Sequence, residues 1–210
     1  MENHRFAVPR NMTIIPDCET VYIDLNQDED AVWQGYASDN RNRIRKSMKM
    51  GVVVEIHREA AALTTFSRFY LKRMEELSAD ESYRFGQDYF RGIGDLGSDR
   101  FRVYLAKHGN EIIGGALILL SGRYAHFHLS ASPVEFREFS ANNRLRHDVI
   151  VDLLGQGLEI LNFGGGRTGD PKDPLLNFKS RFSRARAQRY IGKYVVGQAD
   201  YDAVCAAWRE

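Results

Sequence analysis

Three apolar runs separated by tight turns impose the strongest constraint on how this chain can fold. The runs FRVYLA, EIIGGALILL and RYAHFHLSAS span residues 101–106, 111–120 and 123–132. Only short polar and glycine-containing segments separate them, at residues 108–110 and 121–123. Connections of this length join antiparallel neighbours, so the segment predicts a three-stranded antiparallel meander.

The flanking segments predict how this meander is covered. Helical periodicity covers Glu59–Leu77 and Gln87–Leu96 before it, and a helix near 142–155 followed by a strand at 158–163 forms a β–α–β crossover after it. The other predicted strands are 20–25, 52–56 and 189–196, and the other predicted helices are 26–50 with a break near 38–40, 174–182 and 201–208. We therefore expect an α/β (α+β) fold with a mixed, centrally antiparallel sheet flanked by helices, not a doubly wound nucleotide fold or an all-β barrel.

The length of 210 residues suits one large domain. Residues 1–18, which contain Pro9 and Pro16, are expected to form an irregular arm or the tail of an upstream domain. Residues 19–210 are expected to form the domain itself.

Composition excludes several classes of protein. Lys and Arg total 29 against 28 Asp and Glu, so a net charge of +1 gives no global attraction to nucleic acid or anionic membranes. The longest apolar run, 112–120, is far shorter than the roughly 20 residues of a spanning helix, and the N-terminus lacks a secretory apolar region. Cys18 and Cys205 form no disulfide framework or zinc motif. We expect a soluble, reduced, cytoplasmic protein without a metal.

Basic residues nevertheless cluster in two windows that contain no acid, 41–49 and 174–199. In the first window Arg41, Arg45 and Lys49 share one helical face, where like charges repel unless a counter-charge relieves them. This face is either solvated and salt-bridged or a binding surface for a polyanion. The second window carries Lys179, Arg181, Arg184, Arg186, Arg189 and Lys193.

Strand alternation predicts a polar face on the run 123–132. One face would carry Tyr124, His126, His128 and Ser130, and the other Ala125, Phe127, Leu129 and Ala131. The polar face either lines a cavity or packs a histidine pair under a helix. A metal site is a third interpretation, although no further ligand stands at a telling spacing.

A glycine-rich loop, GGGRTGD at 164–170, follows the strand 158–163 and precedes the helix 174–182. Such a loop either forms tight turns or lets backbone N–H groups approach an anionic ligand. It matches neither nucleotide-binding glycine fingerprint. Gly164, Gly165 and Asp170 are its candidate substrate-binding residues.

Three segments carry a resemblance to a known family, and in chain order they are TVYIDLNQDEDAVWQGYASDNRNRIRKSMKMGVVVEI, AHFHLSAS and FGGGRTGDPKDPLLNFKSRF. Together they resemble the Fem family of aminoacyl-tRNA-dependent peptidyltransferases, which are relatives of the GNAT acyltransferases. The resemblance covers about residues 20–196 and is to the second domain only of a family whose chains normally carry two. It implies a GNAT-like fold and N-acylation of an amine on a phosphate-bearing cell-wall precursor. It also implies that a partner domain, a separate chain or a homodimer mate completes the acceptor site, with peripheral membrane contact where the acceptor is lipid-linked.

The resemblance also suggests roles for individual residues. Phe178 and Lys179 match a Phe-Lys pair that the family associates with the acyl donor and with transfer, so Lys179 is the candidate for stabilising the oxyanion or the donor's phosphate. Arg84 resembles an arginine that contacts acceptor phosphates. His126 and His128 are candidates for a proton relay, because imidazole titrates near neutral pH.

Two alternatives remain open. A single GNAT-like domain also suits an acyl-CoA-dependent enzyme that acylates an amino sugar or another small amine, although no Gly-rich pyrophosphate loop precedes the helix near Asn142. The other alternative is a non-catalytic, anion-binding half of a two-domain enzyme. In either enzymatic interpretation aminoacyl-tRNA or acyl-CoA is a co-substrate, and no cofactor is tightly bound.

Overall fold

One mixed sheet organises the residues that the structure describes, which are 12–208 in this computed structural model. Its strands are β1 (Met12–Asp24), β2 (Val52–His57), β3 (Phe101–His108), β4 (Glu111–Ser121), β5 (Tyr124–Ala131), β6 (Ile160–Gly164) and β7 (Arg186–Tyr194). Their order across the sheet is β2-β3-β4-β5-β6-β1-β7. The pair β5/β6 is parallel and every other neighbouring pair is antiparallel, which confirms the expected fold class.

Helices cover both faces of this sheet. They are α1 (Glu29–Gly35), α2 (Ser38–Lys49), α3 (Ala60–Glu76), α4 (Gln87–Asp95), α5 (Ala141–Leu153), α6 (Pro174–Ser180) and α7 (Gln198–Ala207). Short 3₁₀ turns precede α4 and α5, at Glu81–Tyr83 and Val134–Phe139. The predicted helix 26–50 is divided, because extended backbone at Tyr36 ends α1. Asp28 caps α1 by accepting a hydrogen bond from the Ala31 N–H at 2.7 Å.

The core has two apolar layers, one on each face of the sheet. α2 and α5 pack on the face that carries Ala116 and Ile118 of β4, whereas α3 and α4 pack on the face that carries Leu117. Adjacent residues of one strand therefore face different layers, as the pleat requires.

The expectation of an irregular arm over residues 1–18 is wrong for residues 12–18. These residues belong to β1 and pair with β7, with Met12 opposite Tyr194 and Ile15 opposite Ile191. Ladder hydrogen bonds from β7 offset the interruption at Pro16, beyond which the register shifts. The rest of the predicted arm lies outside the described residues.

Two glycines let helices approach β4 closely from opposite faces. A Cβ atom on Gly115 would lie 3.0 Å from Cδ2 of Phe66 in α3, and one on Gly114 would lie 3.1 Å from Cδ1 of Leu145 in α5. Any larger side chain here would separate the helix from the sheet.

We expect Gly115→Val to lower the free energy of unfolding by about 1–3 kcal/mol, because the added methyl groups overpack the contact with Phe66. Gly92→Ala is the matched control: Gly92 lies on the exposed side of α4, and a Cβ atom added there would meet nothing within 4 Å. It should gain up to about 1 kcal/mol from helix propensity. Urea unfolding measures both, and an unchanged midpoint for Gly115→Val would contradict the close packing.

Candidate active site

The centre of the sheet opens where β5 and β6 separate. The two strands pair at Tyr124/Ile160, Ala125/Leu161 and His126/Asn162, and the pairing then ends while β5 continues to Ala131. Beyond His126, no strand of the described part of the chain pairs with β5 on its β6 side. Backbone groups on that side are therefore available to an extended ligand that enters the opening.

A β-bulge at His128 overturns the predicted alternation along β5. Leu117 of β4 lies opposite Leu129 and the next residue, Ile118, lies opposite Phe127, so His128 is the extra residue. Ser130 consequently lies opposite Ala116 and faces the α5 layer. The polar face expected for Tyr124, His126, His128 and Ser130 is thus split between the two faces of the sheet.

Lys179 of α6 lies at this opening. Its Nζ donates a hydrogen bond to the Gly165 carbonyl oxygen at 2.7 Å and lies 3.5 Å from the position that a Cβ on Gly164 would take. Burial, and then the charge of Arg146, lower the pKa of Lys179 to about 8, while Asp173 and Cys18 oppose this shift. The structure therefore places the candidate lysine in a desolvated position beside the predicted Gly164 and Gly165.

The glycine loop owes its shape to Asp173, which the sequence reasoning missed. This carboxylate caps α6 by accepting from the Leu175 and Leu176 N–H groups, and also accepts from the Arg167 and Thr168 N–H groups. These backbone bonds lower the pKa of Asp173 to about 2. Asp173 directly precedes Pro174, and proline is common at the first position of a helix, so this position could have identified Asp173 as a helix cap.

The expectation that the loop's N–H groups approach a ligand therefore needs correction. Four of the amides at the loop and at the start of α6 are already bonded to Asp173, and the Gly164 N–H bonds to the Asn162 side chain at 2.7 Å. Gly165 is required for packing, because a Cβ there would lie 2.7 Å from the Glu19 carbonyl oxygen. Asp170 is exposed and accepts from the Lys172 N–H in a turn.

The two histidines lie together on the α4 side of the opening, with ring centroids 5.7 Å apart. Burial, followed by the charges of His128 and Lys179, lowers the pKa of His126 to about 4, and burial also lowers the pKa of His128. Both rings are therefore neutral at pH 7. The Tyr89 hydroxyl of α4 forms a hydrogen bond with His128 Nε2. Residues 12–208 contain no cluster of three potential metal ligands that includes this pair.

Arg146 of α5 occupies the α5 side of the opening, and no sequence pattern indicated it. Its guanidinium carbon lies 4.6 Å from the ring centre of Phe127 and 4.7 Å from that of Phe178. One of its nitrogens, Nη2, lies 3.5 Å from the hydroxyl of Ser130. Phe178 therefore contacts a buried cation, and Ser130 contributes to the same cluster.

The predicted basic face of α2, formed by Arg41, Arg45 and Lys49, does not provide three free cations to this opening. The Arg41 guanidinium donates to the carbonyl groups of Gln34 and Tyr36 and so closes the end of α1. Arg45 stacks on Trp33, with 5.2 Å from its guanidinium carbon to the ring centre, while Lys49 is exposed. Arg41 and Arg45 thus have structural partners within the chain, and of the two interpretations of this face the contacts favour the structural one.

A different stripe of α2 lines a pocket of about 640 Å³ near the start of α5. Its lining residues are Asp39, Asn42, Arg43, Lys46, Arg137, Glu138 and Ser140. The three cations and two carboxylates of this set converge only because the 3₁₀ turn before α5 packs near α2. The one signal in the sequence was the i, i+3 spacing of Arg43 and Lys46.

The remaining predicted residues lie at exposed positions. The Arg84 Nε donates to the Ala79 carbonyl oxygen at 3.2 Å, and Tyr124, at the start of β5, is 39% exposed. In the second basic window Arg181 pairs with Asp39 and Arg189 pairs with Asp17, so acids elsewhere in the chain neutralise part of it. Cys18 and Cys205 are both free thiols.

Comparison with known proteins finds the same fold in other structures and one similar sequence. A lipid II:glycine glycyltransferase of Staphylococcus haemolyticus (strain JCSC1435) is 27% identical over 101 residues, which cover 46% of this chain and 23% of the relative. The crystal structure of FemX superposes with a TM-score of 0.72 at 17% identity, over 90% of this chain and 64% of that one. An aminoglycoside acetyltransferase from an uncultured soil metagenomic sample gives a TM-score of 0.51 at 16% identity, over 70% of this chain and 97% of that one.

These similarities confirm the resemblance to Fem proteins, and the chain spans less than two thirds of both the glycyltransferase and FemX. In the described part of the chain, none of the helices combines the length and apolar character needed to cross a bilayer. The model of the acetyltransferase (GNAT) domain matches residues 36–180, which is more than half of the sequence. The chain therefore belongs to the acetyltransferase (GNAT) domain family.

Proposed function

We propose that this chain transfers an activated aminoacyl group from a tRNA to a primary amine, as Fem proteins do, in the cytoplasmic synthesis of cell-envelope precursors. The observation that carries the proposal is the partly buried Lys179 at the point where β5 and β6 separate, with His126 on one side and Arg146 on the other. The glycyltransferase similarity supports the choice of chemistry. The proposal includes peripheral membrane contact. It also includes completion of the acceptor site by a partner domain, a separate chain or a second copy of this chain.

The proposed reaction is attack of a neutral amine on the carbonyl carbon of an ester. The new C–N bond forms, the carbonyl oxygen acquires negative charge, and the C–O bond to the donor then breaks. In its charged form Lys179 stabilises this oxyanion, in a desolvated site where the interaction is stronger than in water. The amine loses one proton, and the donor oxygen takes up one proton when it leaves as a hydroxyl group.

Neutral histidines suit the transfer of this proton. With pKa values lowered by burial, His126 and His128 each retain one unprotonated ring nitrogen at pH 7. The hydrogen bond between Tyr89 and His128 Nε2 leaves Nδ1 of His128 for other partners. We assign His126 as the better placed of the two relays, because it lies beside Gly164 with Lys179, and burial together with the charge of the lysine lowers its pKa.

A second candidate function is acyl-CoA-dependent N-acylation of an amino sugar or another small amine. The pocket near the start of α5 favours it, because Arg43, Lys46 and Arg137 bring three cations to its wall. A pyrophosphate could bind there although the loop before α5 lacks the expected glycines. Asp39 and Glu138 in the same wall weaken this interpretation.

A thermal-shift experiment with the purified chain distinguishes the two donors. If the proposal is correct, a non-hydrolysable aminoacyl-tRNA analogue raises the melting temperature and coenzyme A does not. Lys46→Ala is the matched variant: it should leave the tRNA-dependent shift intact. A shift with coenzyme A that Lys46→Ala abolishes would favour the second candidate instead.

Lys179→Ala should reduce the rate of transfer by about 10²–10³-fold while leaving the fold intact, because one preorganised charge next to the oxyanion is lost. Single-turnover transfer from aminoacyl-tRNA to a primary-amine acceptor measures this. Lys172→Ala is the control, since Lys172 is an exposed lysine near the start of the same helix. Near-full activity of Lys179→Ala would contradict the assignment.

The pH dependence gives an independent check on Lys179. Because its pKa lies near 8, well below the ordinary value for lysine, the ammonium is lost as the pH rises through about 8. We expect the single-turnover rate to fall above that pH. Lys179→Arg, which stays charged, should lose this alkaline fall, and an alkaline fall that persists unchanged in the arginine variant would assign it to another group.

A further inference from the structure

Arg146 is a buried cation without a counter-ion among the residues that the structure describes. It is 4% exposed, and no carboxylate of residues 12–208 forms an ion pair with it. Its Nη1 donates to the Asn142 carbonyl oxygen at 3.1 Å, and Nη2 approaches the Ser130 hydroxyl at 3.5 Å. Its Nε has no hydrogen-bond partner within residues 12–208.

Such an environment is unfavourable for a charged group. Burial lowers the pKa of the guanidinium to about 9, which still leaves it charged at pH 7. The rings of Phe127 and Phe178 stabilise its two faces by cation–π contact but satisfy no N–H group. Only the edge of the guanidinium remains for hydrogen bonds, and an oxyanion is the partner that matches an unpaired guanidinium edge.

The position of Arg146 shows where such a partner would come from. Phe127 belongs to β5, and Phe178 precedes Lys179 in α6, so the side chain bridges the two sides of the opening. Arg146 also lies close enough to Lys179 to lower its pKa. A donor that places its carbonyl group beside Lys179 therefore brings its neighbouring atoms to Arg146.

The two classes of donor differ at this point. In acyl-CoA a long, uncharged arm separates the thioester from the phosphates. In an aminoacyl ester at the 3′ end of an RNA, the ribose that carries the ester also carries a 5′-phosphate. A cation next to the transfer point thus has an anionic partner in the nucleotide ester and none in the thioester.

We propose that Arg146 is a specificity-determining residue that binds the 5′-phosphate of the donor's terminal nucleotide and so selects a nucleotide ester over a thioester. The proposal rests on the function proposed above. It assigns Arg146 to donor recognition and leaves stabilisation of the oxyanion to Lys179.

The test compares two stable donor analogues, 3′-aminoacylamino-3′-deoxyadenosine with and without a 5′-phosphate, by calorimetric titration. In the unmodified chain the phosphate should improve the dissociation constant by about 10–100-fold, the range of a charge-assisted contact. Arg146→Met should abolish this improvement and leave the affinity for the phosphate-free analogue within about threefold. Arg144→Met is the matched control, because Arg144 lies on the same helix and pairs with Asp148 at 2.8 Å, and it should retain the improvement.

Each outcome separates this role from the others. If Arg146→Met keeps the phosphate's benefit, or weakens both analogues equally, Arg146 is a structural residue and the proposal fails. If neither analogue binds the unmodified chain while coenzyme A does, the proposed function itself fails. Arg146→Lys, which retains the charge, should keep part of the benefit, and it provides the comparison if Arg146→Met does not fold by circular dichroism.

Discussion

The separation of β5 from β6 is the constraint on which the rest of this structure depends. The strands pair through His126 and Asn162 and then part, because each continues toward a different element, β5 toward α5 and β6 toward the glycine loop. A sheet that opens at its centre exposes backbone groups that a continuous sheet would bond. A bulge at the opening then turns Ser130 toward α5, so the two faces of the gap carry different chemistry.

Electrostatics then divides the opening into parts with distinct roles. The carboxylate of Asp173 is saturated by backbone N–H groups, so it fixes the loop and is not free to pair with Lys179. Lys179 and Arg146 therefore share a desolvated space with little negative charge. This arrangement is costly in the unbound chain but complementary to an anion that forms or arrives there, which is the general logic of a site preorganised for transfer.

The sequence predicted most of the elements because their signals are local. Alternating apolar residues, tight turns and helical periodicity placed the strands and helices of the meander and the crossover. The family resemblance indicated Lys179, and the fold brings this residue to the opening. Alternation misassigned Ser130, since one inserted residue in β5 inverts every position beyond it. Arg146 and Tyr89 were missed because each is an ordinary residue of an amphipathic helix until a strand packs against it.

What the sequence determined by itself was the order of elements, the α/β class and the resemblance to a family, because these depend on periodicity and on motifs within short stretches. Only the tertiary structure decided which charges remain unpaired. Asp39 neutralises Arg181 across a separation of 142 positions, whereas Arg146 lies between two aromatic rings and no acid among the described residues reaches it. The electrostatic effect of a charged side chain depends on its burial and its neighbours, and the composition of a basic window determines neither of them.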